Sequence, residues 1–151
     1  VLSDALTVSI GMVIPYLTND YEQVLAEDLR HLQHLAYHAN GSVRGMLAIT
    51  EEDIDWLSGR YDYYCEQVED KIKHFVIPQG CLAALHLHEV RNDAKIVYRA
   101  LHHAHKEEAV SKLLFKFTGL LSNVACAMAL YVNQLNNVDE IPFHTKSYVL
   151  K

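Results

Sequence analysis

Arg91, Lys95 and Arg99 recur at steps of four, so on a helix the three cations share one side. Guanidinium forks and an ammonium in such a column match the oxygens of a polyphosphate. The same stripe carries Ala84, His88, Tyr98, His102 and His105. Glu89 and Asp93 are close enough in sequence to make it, alternatively, a solvated face that pairs with itself. Ten histidines raise metal chemistry. His31, His34 and His38 fall on one helix face, a spacing that suits Zn or Ni. Against this, Glu-x-x-His, the pair used by di-iron bundles, does not occur, and Asp28–His31 is the one acid-to-histidine step of three. We therefore expect no intrinsic metal site. Cys81 falls near a predicted helix start, where a thiolate is favoured, although buried packing is the commoner use of cysteine. GxSxG, GxxxxGK[ST] and GxGxxG are all absent.

These side chains need helices to place them, and helical periodicity runs through the whole chain. Ser3 is expected to cap a first helix reaching about Tyr16, with Leu6, Ile10, Val13 and Leu17 inward. Thr18-Asn19-Asp20 is a break and a fresh cap. A second helix follows, with Leu25, Leu29, Leu32, Ala36 and Ala39 inward, stopping at Asn40-Gly41 in a left-handed C-cap. A loop then runs to Ile49. Thr50 and Asp53 form a capping box for a third helix carrying Ile54, Leu57, Tyr61, Tyr64 and Val68. That helix ends before Pro78, and His74–Gly80 is a non-helical crossing. The fourth helix, about Cys81–Lys106, keeps Ala83, Leu87, Val90, Ala94, Val97, Leu101 and Ala104 in a 4-3 seam. The fifth, about Glu108–Asn133, does so with Val110, Leu114, Phe117, Leu121, Val124, Met128, Tyr131 and Leu135. Two such seams predict an all-α five-helix bundle, with an extended tail after Asp139 and no strand pattern.

The 151 residues suit one domain spanning 1–151. A net charge of −6 excludes nucleic-acid binding by bulk positive charge. Phe117–Val138 contains no charged residue, but its Thr, Ser, Asn and Gln make it too polar for a membrane span, and we expect a helix at the centre of the bundle. Three widely spaced cysteines without a CxxC argue against a disulfide framework and for the cytoplasm. No leader peptide is read at Val1, and the absent initiator Met leads us to expect residues ahead of it.

From Phe75 a family comes into view. Phe75-Val76-Ile77-Pro78-Gln79-Gly80-Cys81, followed by Ala83-Ala84, Leu85-His86 and Arg91, resembles the FVLPGGS…AA…LH…AR segment of PduO-type ATP:cobalamin adenosyltransferases. Asp4-Ala5-Leu6 with Ile10-Gly11 is similar to that family's DELNS…G start, Ile49–Ile54 to its ITEEDV cap, and Phe117–Asn123 lies where it has YLNRLSD. The resemblance implies a homotrimer of five-helix bundles with ATP, Mg²⁺ and cobalamin at the interfaces between subunits. It also implies transfer of the 5′-deoxyadenosyl group of ATP to reduced cobalt, with release of tripolyphosphate. The implied catalytic positions are Arg91, Asp4 and Phe75. Phe75 would lie on the corrin's lower face and help displace the lower ligand, and Arg91 would pair with Asp4 across the interface. The implied cofactor-binding positions are Phe75, Lys95, Arg99, His88 and Asn123. Small molecules are thus the expected partners, with neither nucleic acid nor membrane.

Several positions depart from the family's pattern. Lys95 replaces an arginine, keeping the charge but losing the fork. Tyr98 replaces a glutamate, Gly119-Leu120 an Asn-Arg pair, Asn123 an aspartate, and Gln79 the first glycine of PGG. The family's GDxGxT ATP loop, expected ahead of the first helix, does not occur within these residues; it either precedes Val1 or is dispensed with. Polar groups on the nucleotide side have thus become neutral or apolar, while the corrinoid side keeps more of its motif. An alternative follows: a catalytically degenerate member acting as a corrinoid-binding or structural trimeric bundle.

Overall fold

The computed structural model describes residues 2–42, 48–107, 111–144 and 146. Five helices carry the fold: α1 Leu2–Val13, α2 Gln23–Ser42, α3 Glu51–Gln67, α4 Leu82–Glu107 and α5 Lys112–Leu135. A two-residue strand on each side of the α4–α5 pair, β1 Val76–Ile77 and β2 Ile141–Pro142, completes it.

The local reasons for these boundaries are chemical. Pro15 cannot donate to a continuing ladder, so α1 gives way to a 3₁₀ turn at Ile14–Tyr16. Glu22 Oε1 accepts from both the backbone N–H and the side-chain amide of Asn19, at 3.1 and 2.8 Å, and sets the entry to α2. At α3 the predicted box is present: Thr50 Oγ1 accepts from the Asp53 N–H at 3.2 Å, and an Asp53 carboxylate oxygen accepts from the Thr50 N–H at 2.9 Å. Ser111 caps α5 by accepting from the Leu113 N–H at 3.2 Å.

Most of both predicted seams is buried: Ala83, Leu87, Val90, Ala94, Val97 and Leu101 on α4, and Leu114, Phe117, Leu121, Val124 and Met128 on α5, whereas Leu135 at the end of the α5 seam is only half-buried. Tyr131 is only partly buried, packed against this core. Helix α5 is long and apolar enough to cross a membrane by length and composition. In the fold its apolar residues are packed in the bundle, and Thr118 satisfies its hydroxyl on the Leu114 carbonyl of its own helix at 3.0 Å.

Some expectations are corrected. Helix α1 already includes Leu2, so Ser3 lies inside it rather than at its cap. Helix α2 continues through Gly41 to Ser42; among the described glycines only Gly80 has positive φ, so Gly41 is no left-handed stop. The body of the helix is already packed, and a single glycine costs it only about 1 kcal/mol. Helix α5 begins at Lys112 because Ser111 supplies the cap, which shortens the expected Glu108 start. The bundle also contains strand structure, because Val76 pairs with Pro142 and Ile77 with Ile141, antiparallel. The side chains of Ala104 and His105, Val110 and most of the 43–49 loop lie outside the described residues.

Candidate functional site

Tyr16 stacks on His86 with ring centroids 5.2 Å apart. Only four residues of α4 precede His86, so α1, packed along α4, must run antiparallel to it. On α5, Tyr98 lies beside Gly119 and Cys81 beside Asn133, so α4 and α5 are antiparallel as well. This scaffold decides where each predicted residue falls.

The stripe on α4 winds out of the core as it runs. Ala84 and His88 are buried, Arg91 is half-buried, and Lys95, Tyr98, Arg99 and His102 are exposed. His88 is 6% exposed, and neither ring nitrogen has a hydrogen-bond partner among the described residues. Burial first, and the neighbouring Arg91 second, push its pKa down to about 4, with Glu140 opposing. Arg91 Nε and Glu140 Oε1 are likewise buried and unpartnered, while the other Glu140 oxygen pairs with Lys71 Nζ at 3.3 Å. Four of the five such atoms in the described residues thus belong to three neighbouring side chains. Orphaned polar atoms cost roughly 1–3 kcal/mol each, so their concentration makes this the least satisfied buried polar spot among the described residues.

Phe75, 56% exposed, opens the segment that leads through β1 to α4. Its carbonyl accepts from the Phe143 N–H at 2.9 Å, and β1 follows at once, paired to β2. Glu140 directly precedes β2, so the same tail that holds Phe75 delivers the carboxylate to His88 and Arg91.

Asn123 and Lys95 are both exposed; by the α4–α5 register Asn123 stands level with the turn from Arg91 to Lys95. Asp4 is not brought to Arg91 within the chain. It is exposed near the start of α1, held by the Asn40 side-chain amide, about two helical turns away along the α1–α4 axis. A ring stack at Tyr98–His102 and edge contacts of both rings to Phe115 occupy the region beyond Lys95. The Tyr98 ring lies 3.6 Å from where a Cβ on Gly119 would sit, so the two departures from the family's pattern meet each other. Tyr98, Arg99, His102 and His103 line an open cavity of about 330 Å³.

Of the histidines singled out for metal, His34 and His38 line one open cavity with Thr7, Gln33 and Tyr37. His31 packs on Trp56 with centroids 4.1 Å apart, and His34 Nδ1 lies 2.8 Å from the Arg30 carbonyl. Among the described residues no cluster of three His, Cys, Asp or Glu is arranged to hold a metal.

The sequence profile of the cobalamin adenosyltransferase family matches residues 3–132. The chain belongs to that family. A corrinoid adenosyltransferase of Bacillus subtilis (strain 168) is 24% identical over 155 residues, covering 98% of this chain and 79% of the relative. Two solved structures of a PduO-type ATP:corrinoid adenosyltransferase from Lactobacillus reuteri are similar. A phenylalanine-to-alanine variant complexed with cobalamin and ATP has a TM-score of 0.83 at 24% identity, over 95% of this chain and 83% of that one. An arginine-to-lysine variant complexed with ATP has a TM-score of 0.85 at 25% identity, over the same shares.

Two residues that sequence reasoning passed over stand next to the candidate positions: Glu140 acts on His88, and Asn133 holds the backbone at Gln79 and Cys81. Glu140 sits in an aperiodic tail that gave no signal. Asn133 was read only as the polar end of an uncharged run, yet it is completely buried, and a buried amide in an apolar helix is the signal that would have found it.

Proposed function

We propose that this chain is an ATP:corrinoid adenosyltransferase. Cobalt–carbon bond formation at C5′ of ATP accompanies breakage of the C5′–O bond, and the electron pair leaves on tripolyphosphate. The carrying observation is the exposed Phe75, fixed by a strand pair whose second strand follows directly on Glu140, one of the three side chains, with His88 and Arg91, that hold unsatisfied buried atoms. An exposed aromatic ring suits a flat macrocycle, and buried donors without partners suit a polar ligand; the residues present fit both substrates.

Catalysis on this reading is mostly placement and electrostatics. Phe75 offers its apolar ring to the corrin's lower face and keeps a lower ligand away. Arg91, Lys95 and Arg99 form the cation column for the departing triphosphate. The two residues changed in the Lactobacillus reuteri variants lie twenty positions apart, the separation of Phe75 and Lys95. That spacing supports Lys95 as the counterpart of the arginine, carrying naturally the lysine of the variant. Mg²⁺ would arrive with ATP, its ligands largely phosphate oxygens and water. His88 and Asn123 would serve as polar neighbours of the bound molecules.

The site is proposed to be completed by a homotrimer, so that Asp4 of one copy reaches Arg91 of another. Support comes from α1, whose Val8 and Met12 are large apolar side chains exposed one turn apart. The cytoplasm is the proposed compartment, in keeping with three free cysteines and a reduced metal substrate.

The test is direct. The purified chain with ATP, Mg²⁺ and chemically reduced cobalamin should form adenosylcobalamin, followed by its visible spectrum, faster than a protein-free control. Product at the control rate would overturn the proposal. A second reading, a corrinoid-binding bundle without turnover, is favoured by one observation: Tyr98 packs on Gly119 where the family's pattern has charged and amide groups. Adenosylcobalamin formed above the control rate would exclude it, and tight calorimetric binding of ATP would count against it.

A further inference from the structure

Asn133 is the one fully exposure-free amide side chain in the described core, and nothing in its helix requires it. An alanine or leucine in the last turns of α5 would pack without any polar cost, whereas a buried amide must find partners. Asn133 finds all of them outside its helix. Its Oδ1 accepts from the Cys81 N–H at 3.0 Å, and its Nδ2 donates to the Gln79 carbonyl at 3.1 Å. Between those residues Gly80 adopts φ +134°, and a Cβ there would lie 2.2 Å from Asn133 Oδ1. The backbone is wrapped so closely around the amide that only a hydrogen fits.

The same residue acts through its main chain. The Asn133 carbonyl accepts from the Val138 N–H at 2.9 Å, which turns the chain leaving α5 toward β2. Its side chain therefore fixes the passage from β1 into α4, and its carbonyl fixes the passage from α5 into β2. Those two passages bring together the strands whose pairing holds Phe75.

We infer that Asn133 is a positioning residue for the corrinoid-facing loop: it sets where Phe75 stands by pinning both segments that carry the β1–β2 pair. It touches no substrate itself. The inference rests on the corrinoid reading of Phe75, and the test separates the two.

The experiment compares Asn133→Ala with Asn136→Ala in the full chain. Asn136 is also an amide at this end of the bundle, joined to Tyr21 and Glu22 at 3.0 and 3.2 Å, but it does not hold the Phe75 loop. Both variants are expected to lower the melting temperature. Only Asn133→Ala is expected to speed hydrogen exchange at the Cys81 amide and in Val76–Ile77, and to raise KM for cobalamin about tenfold while KM for ATP stays within twofold. Asn133→Ser keeps a small uncharged donor and acceptor at the same position, so it should fall between wild type and Asn133→Ala; it also serves where the alanine variant does not fold. Equal effects of the Asn133 and Asn136 variants on cobalamin KM, or a parallel rise in KM for ATP, would overturn the inference. If the wild-type chain makes no adenosylcobalamin, the functional reading falls by itself. The exchange arm then decides the clamp, and unchanged protection at Cys81 in Asn133→Ala would refute it.

Discussion

His88 joins the core to the site, and its charge state can be read in stability. Its folded pKa, pushed to about 4 by burial and by Arg91, lies below the ordinary value of 6.5. Between those values the unfolded chain binds a proton that the folded chain refuses, so stability must fall as pH drops from about 6.5 toward 4. By linkage the loss at pH 5 is about 2 kcal/mol, reaching about 3 kcal/mol below pH 4. The urea midpoint measured from pH 7.5 to 4.5 should follow this slope, and His88→Gln should flatten it; an unchanged slope in that variant would assign the pH dependence elsewhere. Lys95 yields a different kind of prediction. As an exposed single-point cation it lacks the two parallel N–H groups of a guanidinium. Lys95→Arg should therefore lower KM for ATP or raise kcat by roughly tenfold, the worth of one additional charge-assisted contact, with KM for cobalamin unmoved. Phe75, Arg91 and Lys95 were legible because their types and spacing are local in sequence. Glu140 and Asn133 were not, because each acts on residues about fifty positions away, and no local pattern records such a contact.

The helices were legible for the reason their seams are buried: an unbroken 4-3 apolar pattern on α4 and α5 has one economical use, packing along a shared axis. The β1–β2 pair was not legible. Two residues a side carry no alternation to detect, and Pro142 argues against a strand except at an edge, which is where it lies. Gly41 misled because glycine both ends helices and, less often, sits inside them. Helices α2 and α3 expose a further element-level device. They are joined by long side chains: both Arg60 Nε and Nη2 reach Asp28 Oδ2, at 2.8 and 2.7 Å, and the Tyr64 hydroxyl donates to the same oxygen. The Arg60 guanidinium also lies 4.4 Å from the Tyr63 ring centroid. Burial, and then the Asp28 carboxylate, hold the Tyr64 hydroxyl protonated far above its usual range. Asp28→Asn leaves the hydroxyl an acceptor but strips the guanidinium of its counter-charge. It should cost about 2 kcal/mol, or roughly 6 °C in Tm, with kcat and both KM values unchanged because neither helix carries the site. A loss of activity without a fall in Tm would show that α2–α3 reaches the chemistry after all.

At the scale of the whole molecule, the proposed homotrimer rests on two groups that one chain keeps apart. Arg91 has an orphaned buried nitrogen, and Asp4, the acid the resemblance assigns to it, stands about two turns away on the same chain with Asn40. The separation is a consequence of the antiparallel α1–α4 packing, so no small adjustment of one bundle closes it. On the trimer proposal a second copy presenting the start of its α1 supplies the acid, and α1 offers a surface for it: Leu6, Ile10 and Val13 are buried, while Val8 and Met12 are 60% and 43% exposed. Two large apolar side chains exposed one turn apart on a helix suit an interface better than a solvated face. Met12→Lys places a charge on that surface and leaves the buried side untouched. Light scattering should report three chains for the wild type and single chains for Met12→Lys, with helical content and urea resistance at low protein concentration little changed. Adenosylcobalamin formation should fall by at least a hundredfold, because each site then loses the acid, the apolar cover and the water exclusion that the neighbouring copy contributes. A Met12→Lys chain that stays monomeric yet retains full turnover would mean that Arg91 and Phe75 complete the site unaided. A wild type that is already monomeric and active would lead to the same conclusion.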